Sequence, residues 1–315
     1  MLVTRAPLRI PVGGGGTDFP SYYKRYGGMI LGFALDRYCH VVVHPTLDNK
    51  IHLKYSKTEV VSDPDDLENR VAAECLKWYD IKGGLEVATF SDVPESSGLG
   101  GSSSFCVALC TALRYLKGMS LDKYEIFASA YDIERNKARQ PGGMQDQFFA
   151  ALGGAWLLEL PPEGEFIQTA VEINDFLPKL KLVYTQTGRT DLGIASRQDW
   201  RIAEEDKVVV DSLNKTKEMG YAIKSMLDSK DYDSIGKMFN EHWCNKKKRD
   251  PGITNFKVDE LYRTALSDGC LGGKLLGLGG GGYLLLYAKN GLSNLQGLDV
   301  GLDNEGCKVV YSNGR

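Results

Sequence analysis

Three glycine-rich segments, separated by long stretches of ordinary sequence, constrain this chain more than any other feature. They lie at residues 13–16, 98–101 and 277–282, and each adjoins an apolar run typical of a strand. Glycine adopts left-handed backbone conformations and lets another backbone or a ligand approach closely, at an entropic cost on folding. Three such segments indicate one site lined by main-chain N–H groups, which suits an anion such as phosphate.

The familiar nucleotide-binding motifs do not match these segments. A Walker A loop reads Gly-x-x-x-x-Gly-Lys-Ser/Thr, but Leu275 follows the Gly273-Lys274 pair and Asp268 stands in place of the first glycine. A Rossmann fingerprint reads Gly-x-Gly-x-x-Gly, and Asp18 occupies the position of its third glycine. The sequence therefore disfavours a dinucleotide-dependent oxidoreductase.

The middle segment is the most specific of the three. Residues 94–104 read Pro-Glu-Ser-Ser-Gly-Leu-Gly-Gly-Ser-Ser-Ser and run directly into a predicted helix over 105–116. A loop followed by a helix directs the unpaired N–H groups and the positive dipole end of the helix at whatever lies in the loop. The hydroxyls of Ser102 and Ser103 could then help to hold a magnesium ion on a phosphate. The alternative is a serine N-cap on a buried helix.

Three ordered motifs give the chain a family resemblance. Residues 5–18, 94–104 and 272–282 resemble the signature motifs of the galactokinase/homoserine kinase/mevalonate kinase/phosphomevalonate kinase (GHMP) superfamily, and the resemblance spans nearly the whole chain. Residues 13–18, 141–147 and 251–255 are most similar to bacterial sugar 1-kinases that act on D-glycero-D-manno-heptose 7-phosphate. Fucokinase domains share much of this pattern.

The resemblance implies an α+β protein, a two-domain small-molecule kinase fold with a deep cleft between an N-terminal and a C-terminal α+β domain. We expect the boundary at the Gly153-Gly154 turn, between an ATP- and magnesium-binding domain (1–153) and a domain that contributes to the substrate site (154–315). Ser120 is the expected N-cap of the second helix. The predicted strands are 2–10, 29–35, 38–44, 51–55, 85–90, 155–160, 180–185, 283–288 and 308–311, and the predicted helices are 105–116, 121–136, 148–152, 202–227, 234–244 and 258–266.

Asp146 is the candidate catalytic base. Pro141 ends the preceding helix, and Gly142 and Gly143 let the chain bend tightly before the apolar helix that follows Asp146. From the residues alone, an aspartate at a helix start that offsets the helix dipole is the favoured interpretation. The resemblance favours catalysis, because Asp146 matches the family's catalytic aspartate.

Glu134 and Arg9 complete the predicted chemistry. A carboxylate near the C-terminal end of a helix is unfavourable unless something offsets it, and either bound magnesium or a surface pair with Arg135 or Lys137 would do so. The resemblance assigns Glu134 to the magnesium ion with Ser102. Arg9, on the first strand, matches the family's basic residue and could stabilise the Asp146 carboxylate or the transferring phosphoryl group.

The ligand contacts are predicted from the resemblance and from the distribution of charge. By resemblance, Asp18 matches the aspartate that binds a sugar hydroxyl. By charge, Arg189, Lys246 and Arg249 could bind a substrate phosphate, although such a charged run is more commonly a solvated helix end. The predicted ATP-binding residues are Pro94, Ser97, Gly98, Leu99, Gly100, Gly101, Ser102, Ser103 and Ser104. The predicted substrate-binding residues are Gly15, Gly16, Thr17, Asp18, Gly142, Gly143, Arg189, Lys246, Arg249, Gly279, Gly280 and Gly281.

Composition agrees with a cytoplasmic enzyme. The net charge of −3 argues against nucleic-acid binding, and we see neither a signal peptide nor an apolar run long enough to cross a membrane. The seven cysteines lack metal-type spacing, Cys106 and Cys110 are expected in the core, and none of the four histidines belongs to a metal-ligand cluster. A homodimer is compatible with the sequence.

The sequence thus predicts an ATP- and Mg²⁺-dependent sugar kinase that phosphorylates an anomeric hydroxyl, with a heptose 7-phosphate as the favoured acceptor. Two alternatives stay open. One is a fucokinase or another neutral-sugar 1-kinase, and the other is a non-catalytic sensor with the same fold.

Overall fold

The computed structural model describes residues 1–187 and 193–314 and contains two β-sheets with helices packed on them. The strands are β1 Leu2–Gly13, β2 Gly28–Pro45, β3 Ile51–Lys54, β4 Thr58–Val61, β5 Leu85–Ser91, β6 Ala155–Leu160, β7 Ile167–Ala170, β8 Leu180–Tyr184, β9 Gly272–Leu275, β10 Tyr283–Tyr287, β11 Leu298–Asp299 and β12 Lys308–Ser312. The α-helices are α1 Pro20–Tyr26, α2 Arg70–Trp78, α3 Gly101–Leu116, α4 Lys123–Tyr131, α5 Gln145–Leu152, α6 Ile194–Ala203, α7 Lys207–Asp228, α8 Tyr232–Lys246 and α9 Phe256–Ser267.

The first sheet is built around β1 and β2, which run antiparallel along most of their length. Its strand order is β12-β1-β2-β5-β3-β4, and β6 and β7 extend it from the first part of β2. Three strands that follow residue 153 in the chain therefore hydrogen-bond into this sheet. The division into domains 1–153 and 154–315 stays a prediction.

The second sheet is smaller, with the order β11-β8-β10-β9 and antiparallel pairing throughout. Every residue of β10 is buried, which explains its uninterrupted apolar sequence. One hydrophobic cluster contains Ile10 and Phe33 of the first sheet together with Leu285 and Tyr287 of the second. The two sheets are therefore joined by a common core, and β1 lies in it.

Most predicted elements are present, and the differences have local causes. The predicted strands 29–35 and 38–44 form one strand, β2. The predicted helix 202–227 is two helices, because Glu205 has a left-handed backbone (φ 57°) and Asp206 caps α7 through the amides of Val208 and Val209. The predicted N-cap Ser120 is wrong, because the Asp122 side chain accepts the amides at the start of α4. Helices α1 and α2, most of α6 (194–201), and strands β4, β7, β9 and β11 were not predicted.

Buried thiols pack between α2 and α3. Cys106 and Cys110 have no exposed surface, as expected for core residues, and Cys75 of α2 lies 3.7 Å from Cys106, sulfur to sulfur. Within the described residues, these three cysteines are the group whose side chains lie close enough together to hold a metal ion. None of them lines the cavity described next.

Candidate active site

A cavity lies where the first glycine-rich segment, the loop before α5 and the end of β9 meet. Its empty space is about 730 Å³, including the open mouth. Its lining includes Arg9 and Asp146, and also the cations Lys246, Arg249 and Lys274. The structure thus brings the predicted catalytic pair and two predicted phosphate ligands into one cavity.

Arg9 and Asp146 form a two-pronged ion pair. The Nε of Arg9 lies 2.7 Å from Oδ1 of Asp146, and Nη2 lies 2.8 Å from Oδ2. The third nitrogen of the guanidinium, Nη1, donates to the carbonyl of Gly98 at 2.7 Å. Such bidentate pairs fix orientation as well as charge. Arg9 therefore ties the Asp146 carboxylate to the middle glycine-rich segment.

The middle segment turns into α3 earlier than the sequence predicted. Gly100 has a left-handed backbone (φ 83°) and serves as the N-cap, so α3 begins at Gly101 and Ser102–Ser104 lie in its first turn. A side chain at Gly100 would lie 3.3 Å from Arg9 and 3.5 Å from Asp146. The free amides at the start of α3 are therefore next to the ion pair. Ser104 donates to the carbonyl of Pro7 and has almost no exposed surface.

Glu134 is brought to the same helix end by a π-helical segment, Asp132–Lys137, which extends α4. Its carboxylate is 2% exposed and accepts hydrogen bonds from Ser102 Oγ (3.0 Å), Ser103 Oγ (2.6 Å) and Gln147 Nε2 (2.6 Å). The nearest cation, Arg135, is 3.7 Å away. Of the two serines, Ser102 is exposed and Ser103 is buried. A buried carboxylate with two hydroxyls supplies oxygen ligands of the kind that Mg²⁺ prefers.

Asp18 anchors the loop that precedes α5. It has no exposed surface, and its two oxygens accept the backbone amide of Gln145 at 3.1 Å and the Gln145 side-chain amide at 3.0 Å. Burial raises the pKa of Asp18 above its ordinary value. A Cβ on Gly143 would lie 2.0 Å from Oδ2 of Asp18, so this close approach requires glycine. Asp18 thus holds the segment that positions Asp146.

Buried cations lie beyond the first glycine-rich segment. Lys246 donates to the carbonyls of Leu275 (2.9 Å) and Gly277 (2.5 Å). Arg249 donates to Ser212 Oγ (3.0 Å), to the carbonyl of Gly15 (3.2 Å) and to the hydroxyl of Thr216. The predicted ligand Arg189 lies outside the described residues.

The last glycine-rich segment packs against other backbone. A Cβ on Gly277 would lie 2.6 Å from Cα of Gly98, and one on Gly282 would lie 2.3 Å from the carbonyl of Ser97. The amide of Gly280 donates to the carbonyl of Ile253 at 2.9 Å. This segment therefore packs directly against the backbone of the middle glycine-rich segment. Glycine alone permits such close approaches.

The predicted ligand contacts divide into two groups. Gly15, Gly16, Gly142 and Gly143 line the cavity, as do Lys246 and Arg249. Thr17 and Asp18 are buried beneath it, and Thr17 donates to the carbonyls of Gly14 and Met29. The other predicted contacts do not line the cavity; they are Pro94, Ser97, Gly98, Leu99, Gly100, Gly101, Ser102, Ser103, Ser104, Gly279, Gly280 and Gly281. Their ligand roles stay predictions.

Four side chains of the site were missed in the sequence. Gln145 and Gln147 bind Asp18 and Glu134, and His242 and Lys274 line the cavity. One signal was available, because His242, Lys246 and Arg249 recur at intervals of four and three residues, which is the spacing of one helix face. The glutamines carried no such signal.

The sequence is similar to those of known small-molecule kinases. Residues 67–154 match the N-terminal domain of the GHMP kinases and residues 222–292 match their C-terminal domain, together about half of the chain. The D-glycero-α-D-manno-heptose 7-phosphate kinase of Campylobacter jejuni is 26% identical over 90% of this chain and 88% of its own length. The L-fucokinase/L-fucose-1-P guanylyltransferase of Bacteroides fragilis is 28% identical over 91% of this chain, which spans 34% of that longer protein.

Solved structures agree on the fold. The crystal structure of a D-glycero-D-manno-heptose 1-phosphate kinase from Bacteroides thetaiotaomicron superposes with a TM-score of 0.76 at 24% identity, covering 99% of this chain and 100% of that one. Fold and site together define a small-molecule kinase, an enzyme that transfers a phosphoryl group. The chain belongs to the GHMP kinase family, whose members use ATP as phosphate donor. In the part of the chain that is described, no helix is both long and apolar enough to span a membrane.

Proposed function

We propose that this kinase transfers the γ-phosphoryl group of ATP to the anomeric hydroxyl of D-glycero-D-manno-heptose 7-phosphate, as a step of nucleotide-activated heptose biosynthesis. The observation that carries the proposal is the Arg9–Asp146 ion pair, which sits between the glycine-rich start of α3 and the cavity. A carboxylate in this position is next to both a phosphate-binding helix end and an acceptor site.

In this mechanism Asp146 takes the proton of the attacking hydroxyl. Its carboxylate is held in one orientation by two nitrogens of Arg9, which leaves 19% of the side chain accessible from the cavity. Arg9 would also lie beside the phosphoryl group during its transfer, where negative charge develops. A preorganised cation at that place lowers the barrier. The backbone amides of residues 100–102 would hold the ATP phosphates.

Ser102 and Glu134 would hold Mg²⁺, since a buried carboxylate beside an exposed hydroxyl is a suitable pair of oxygen donors. When bound, the ion would neutralise charge on the β- and γ-phosphates. Gln147 and Ser103 keep the Glu134 carboxylate oriented through their hydrogen bonds at 2.6 Å. A non-catalytic sensor would be expected to lack Asp146 or Glu134, and this chain has both.

Two observations support a phosphorylated acceptor. The Campylobacter jejuni heptose 7-phosphate kinase matches along nearly the whole chain, and Lys246 and Arg249 add positive charge to the cavity. The fucokinase match is of similar identity, so a neutral sugar is the second candidate. Arg189, the third proposed phosphate ligand, stands outside the described residues.

The test is product analysis with ATP and Mg²⁺. Purified protein is given D-glycero-D-manno-heptose 7-phosphate, the unphosphorylated heptose or L-fucose, and products are identified by ³¹P NMR, with Asp146→Asn as the inactive control. We expect an anomeric phosphate on the heptose 7-phosphate, with kcat/KM at least ten-fold above either neutral sugar. Equal or better efficiency on a neutral sugar would move the assignment to a fucokinase-like enzyme.

A further inference from the structure

Three cationic side chains and one histidine lie together on one wall of the cavity. They are His242 and Lys246 of α8, Arg249 just beyond it and Lys274 of β9, and each is at most 8% exposed. We call them the cation cluster. Lys274 and His242 were not among the residues predicted to bind substrate, and neither has a part in the phosphoryl transfer described above.

Among the described residues, the cluster has no counter-ion. Lys246 and Lys274 donate to backbone carbonyls, Lys274 to that of Val12 at 2.6 Å, and Arg249 donates to two hydroxyls and one carbonyl. Across residues 1–187 and 193–314, no carboxylate lies within ion-pair distance of any of the three. Asp250, which is next to Arg249 in the chain, pairs with Arg197 instead.

Burying three cations without an anion is unfavourable. Water stabilises an unpaired charge far better than a protein interior does. Burial accordingly lowers the pKa of Lys246 and of Arg249 and brings that of Lys274 to about 7. A protein retains such a group where a ligand supplies the missing charge. The most economical ligand is a dianion, since it faces three donors at once.

His242 adds a second and independent sign of a ligand. Both of its ring nitrogens are buried and have no hydrogen-bond partner in the described part of the chain, although the side chain lines the cavity. Unpaired buried polar atoms are rare in folded proteins. Burial and the neighbouring Lys274, Arg249 and Lys246 lower the pKa of His242, so the ring is neutral in the free enzyme and can donate through one nitrogen.

Two members of the cluster contact the first glycine-rich segment, whereas Lys246 donates to Gly277, which packs on Gly98 of the middle segment. Lys274 and Arg249 reach the backbone of Val12 and Gly15 in the first glycine-rich segment. The middle glycine-rich segment also meets Arg9 and Asp146 through Gly98 and Gly100. An acceptor whose hydroxyl faces Asp146 can extend its far end toward the cluster, because both line the same cavity.

We propose that His242 and Lys274 complete, with Lys246 and Arg249, a pocket for the terminal phosphate monoester of the acceptor, and that its binding is coupled to proton uptake. The inference rests on the proposed function in that the acceptor carries a phosphate. The same charges could attract the triphosphate of ATP, so the experiment has separate arms for the two sources.

Proton uptake follows from the charges that face Lys274. Burial and the neighbouring charge of Arg249 lower the pKa of Lys274. The other titratable groups that line the same cavity are Arg9, Arg135, Asp146, Lys246 and the neutral His242. Without ligand at pH 8, an ammonium that titrates near pH 7 is mostly neutral. A phosphate dianion raises its pKa again, so binding draws in close to one proton through Lys274.

Titration calorimetry tests both parts of the proposal. Heptose 7-phosphate, unphosphorylated heptose and ATP are titrated into wild type, Lys274→Met, His242→Leu and the exposed control Lys248→Met. We expect each cluster variant to weaken binding of heptose 7-phosphate ten- to a hundred-fold, as for a charge-assisted hydrogen bond, and to change binding of the other two ligands less than two-fold. At pH 8 in two buffers of different ionisation enthalpy, wild type should take up about one proton more than Lys274→Met.

The other outcomes separate this pocket from the nucleotide site and from the proposed function. Equal weakening of ATP would assign the cluster to the nucleotide, and unchanged binding of both ligands would leave it without an anion. His242→Gln keeps a donor and, with circular dichroism, separates lost contacts from lost folding. Heptose 7-phosphate bound through the cluster but never phosphorylated would refute the proposed function and support this pocket. If heptose 7-phosphate is phosphorylated and the cluster variants bind it as tightly as wild type does, the proposed function is supported and this pocket is refuted.

Discussion

Replacing the buried Lys274 by methionine should make the free enzyme more stable. The ammonium is 3% exposed, its only hydrogen bond goes to the Val12 carbonyl, and it has no carboxylate partner among the described residues. Burial lowers its pKa from 10.5 to about 7. Each pH unit of such a shift corresponds to about 1.4 kcal/mol, so the charged side chain costs the folded state roughly 4–5 kcal/mol at most.

The net gain is smaller than this cost. Losing the hydrogen bond to Val12 takes back about 1 kcal/mol, and relaxation around the charge reduces the penalty further. We therefore expect the Lys274→Met variant to gain about 1–3 kcal/mol in free energy of unfolding at pH 7, or roughly 1.5–5 °C in Tm for a chain of this length. Methionine fills a similar volume without a charge, so packing changes little.

The stability difference between Lys274→Met and wild type should depend on pH in a defined direction. In the unfolded chain the lysine keeps its proton up to about pH 10.5, whereas in the folded chain it releases the proton above about pH 7. The unfolded state therefore holds more protons between these values, and the stability of wild type rises with pH there. The advantage of Lys274→Met is largest at or below pH 7 and shrinks as the pH approaches 10.5.

The assay is denaturant unfolding of wild type, Lys274→Met and Lys248→Met from pH 6.5 to pH 9.5, without ATP or sugar phosphate. Comparing variants at each pH removes the contributions of all other titrating groups. The exposed Lys248 control should stay within about 0.5 kcal/mol of wild type. A less stable Lys274→Met protein at pH 7, or an advantage that does not change with pH, would refute the reasoning.

Three further predictions concern the catalytic constellation. Asp146→Asn should lower kcat by roughly two to four decades with ATP binding intact, and near-normal turnover in a folded variant would exclude Asp146 as the base. Ser102→Ala and Glu134→Gln should each raise the Mg²⁺ concentration at half-maximal rate, and unchanged Mg²⁺ titrations of both would exclude them as ligands. Gly143→Ala should raise KM for the acceptor but not for ATP, because its Cβ would lie 2.0 Å from an oxygen of Asp18; equal effects on both substrates would indicate general misfolding.

The sequence predicted those parts of the molecule whose causes are local. The glycine at position 100, the serines after it and the Pro-Gly-Gly bend before Asp146 each have a conformational signal of their own. The start of α3 was nevertheless placed four residues late, because a left-handed Gly100 can cap a helix without any side chain. The break before α7 was missed for a similar reason, since a single left-handed residue, Glu205, produces it.

The parts that could not be predicted depend on long-range contacts. Lys274 donates to a carbonyl 262 residues earlier in the chain, and Gln145 binds a carboxylate 127 residues away. Nothing in the local sequence of either residue indicates such a partner. His242 has no metal-type neighbours in the sequence, so no local pattern marks it as a site residue. Its two unpaired nitrogens indicate a ligand only because the side chain lines the cavity.

The pairing of β12 with β1 has a consequence for how this enzyme is made. Leu2 lies opposite Ser312 and Arg5 opposite Lys308, so the strand that carries Arg9 acquires its outer neighbour only after some 300 further residues have been synthesised. Contacts so distant in the chain slow folding, and an unpaired strand edge can recruit other chains in the meantime. A nascent chain of this protein therefore exposes the edge of its catalytic strand for most of its synthesis, and we expect it to depend on a chaperone during that interval.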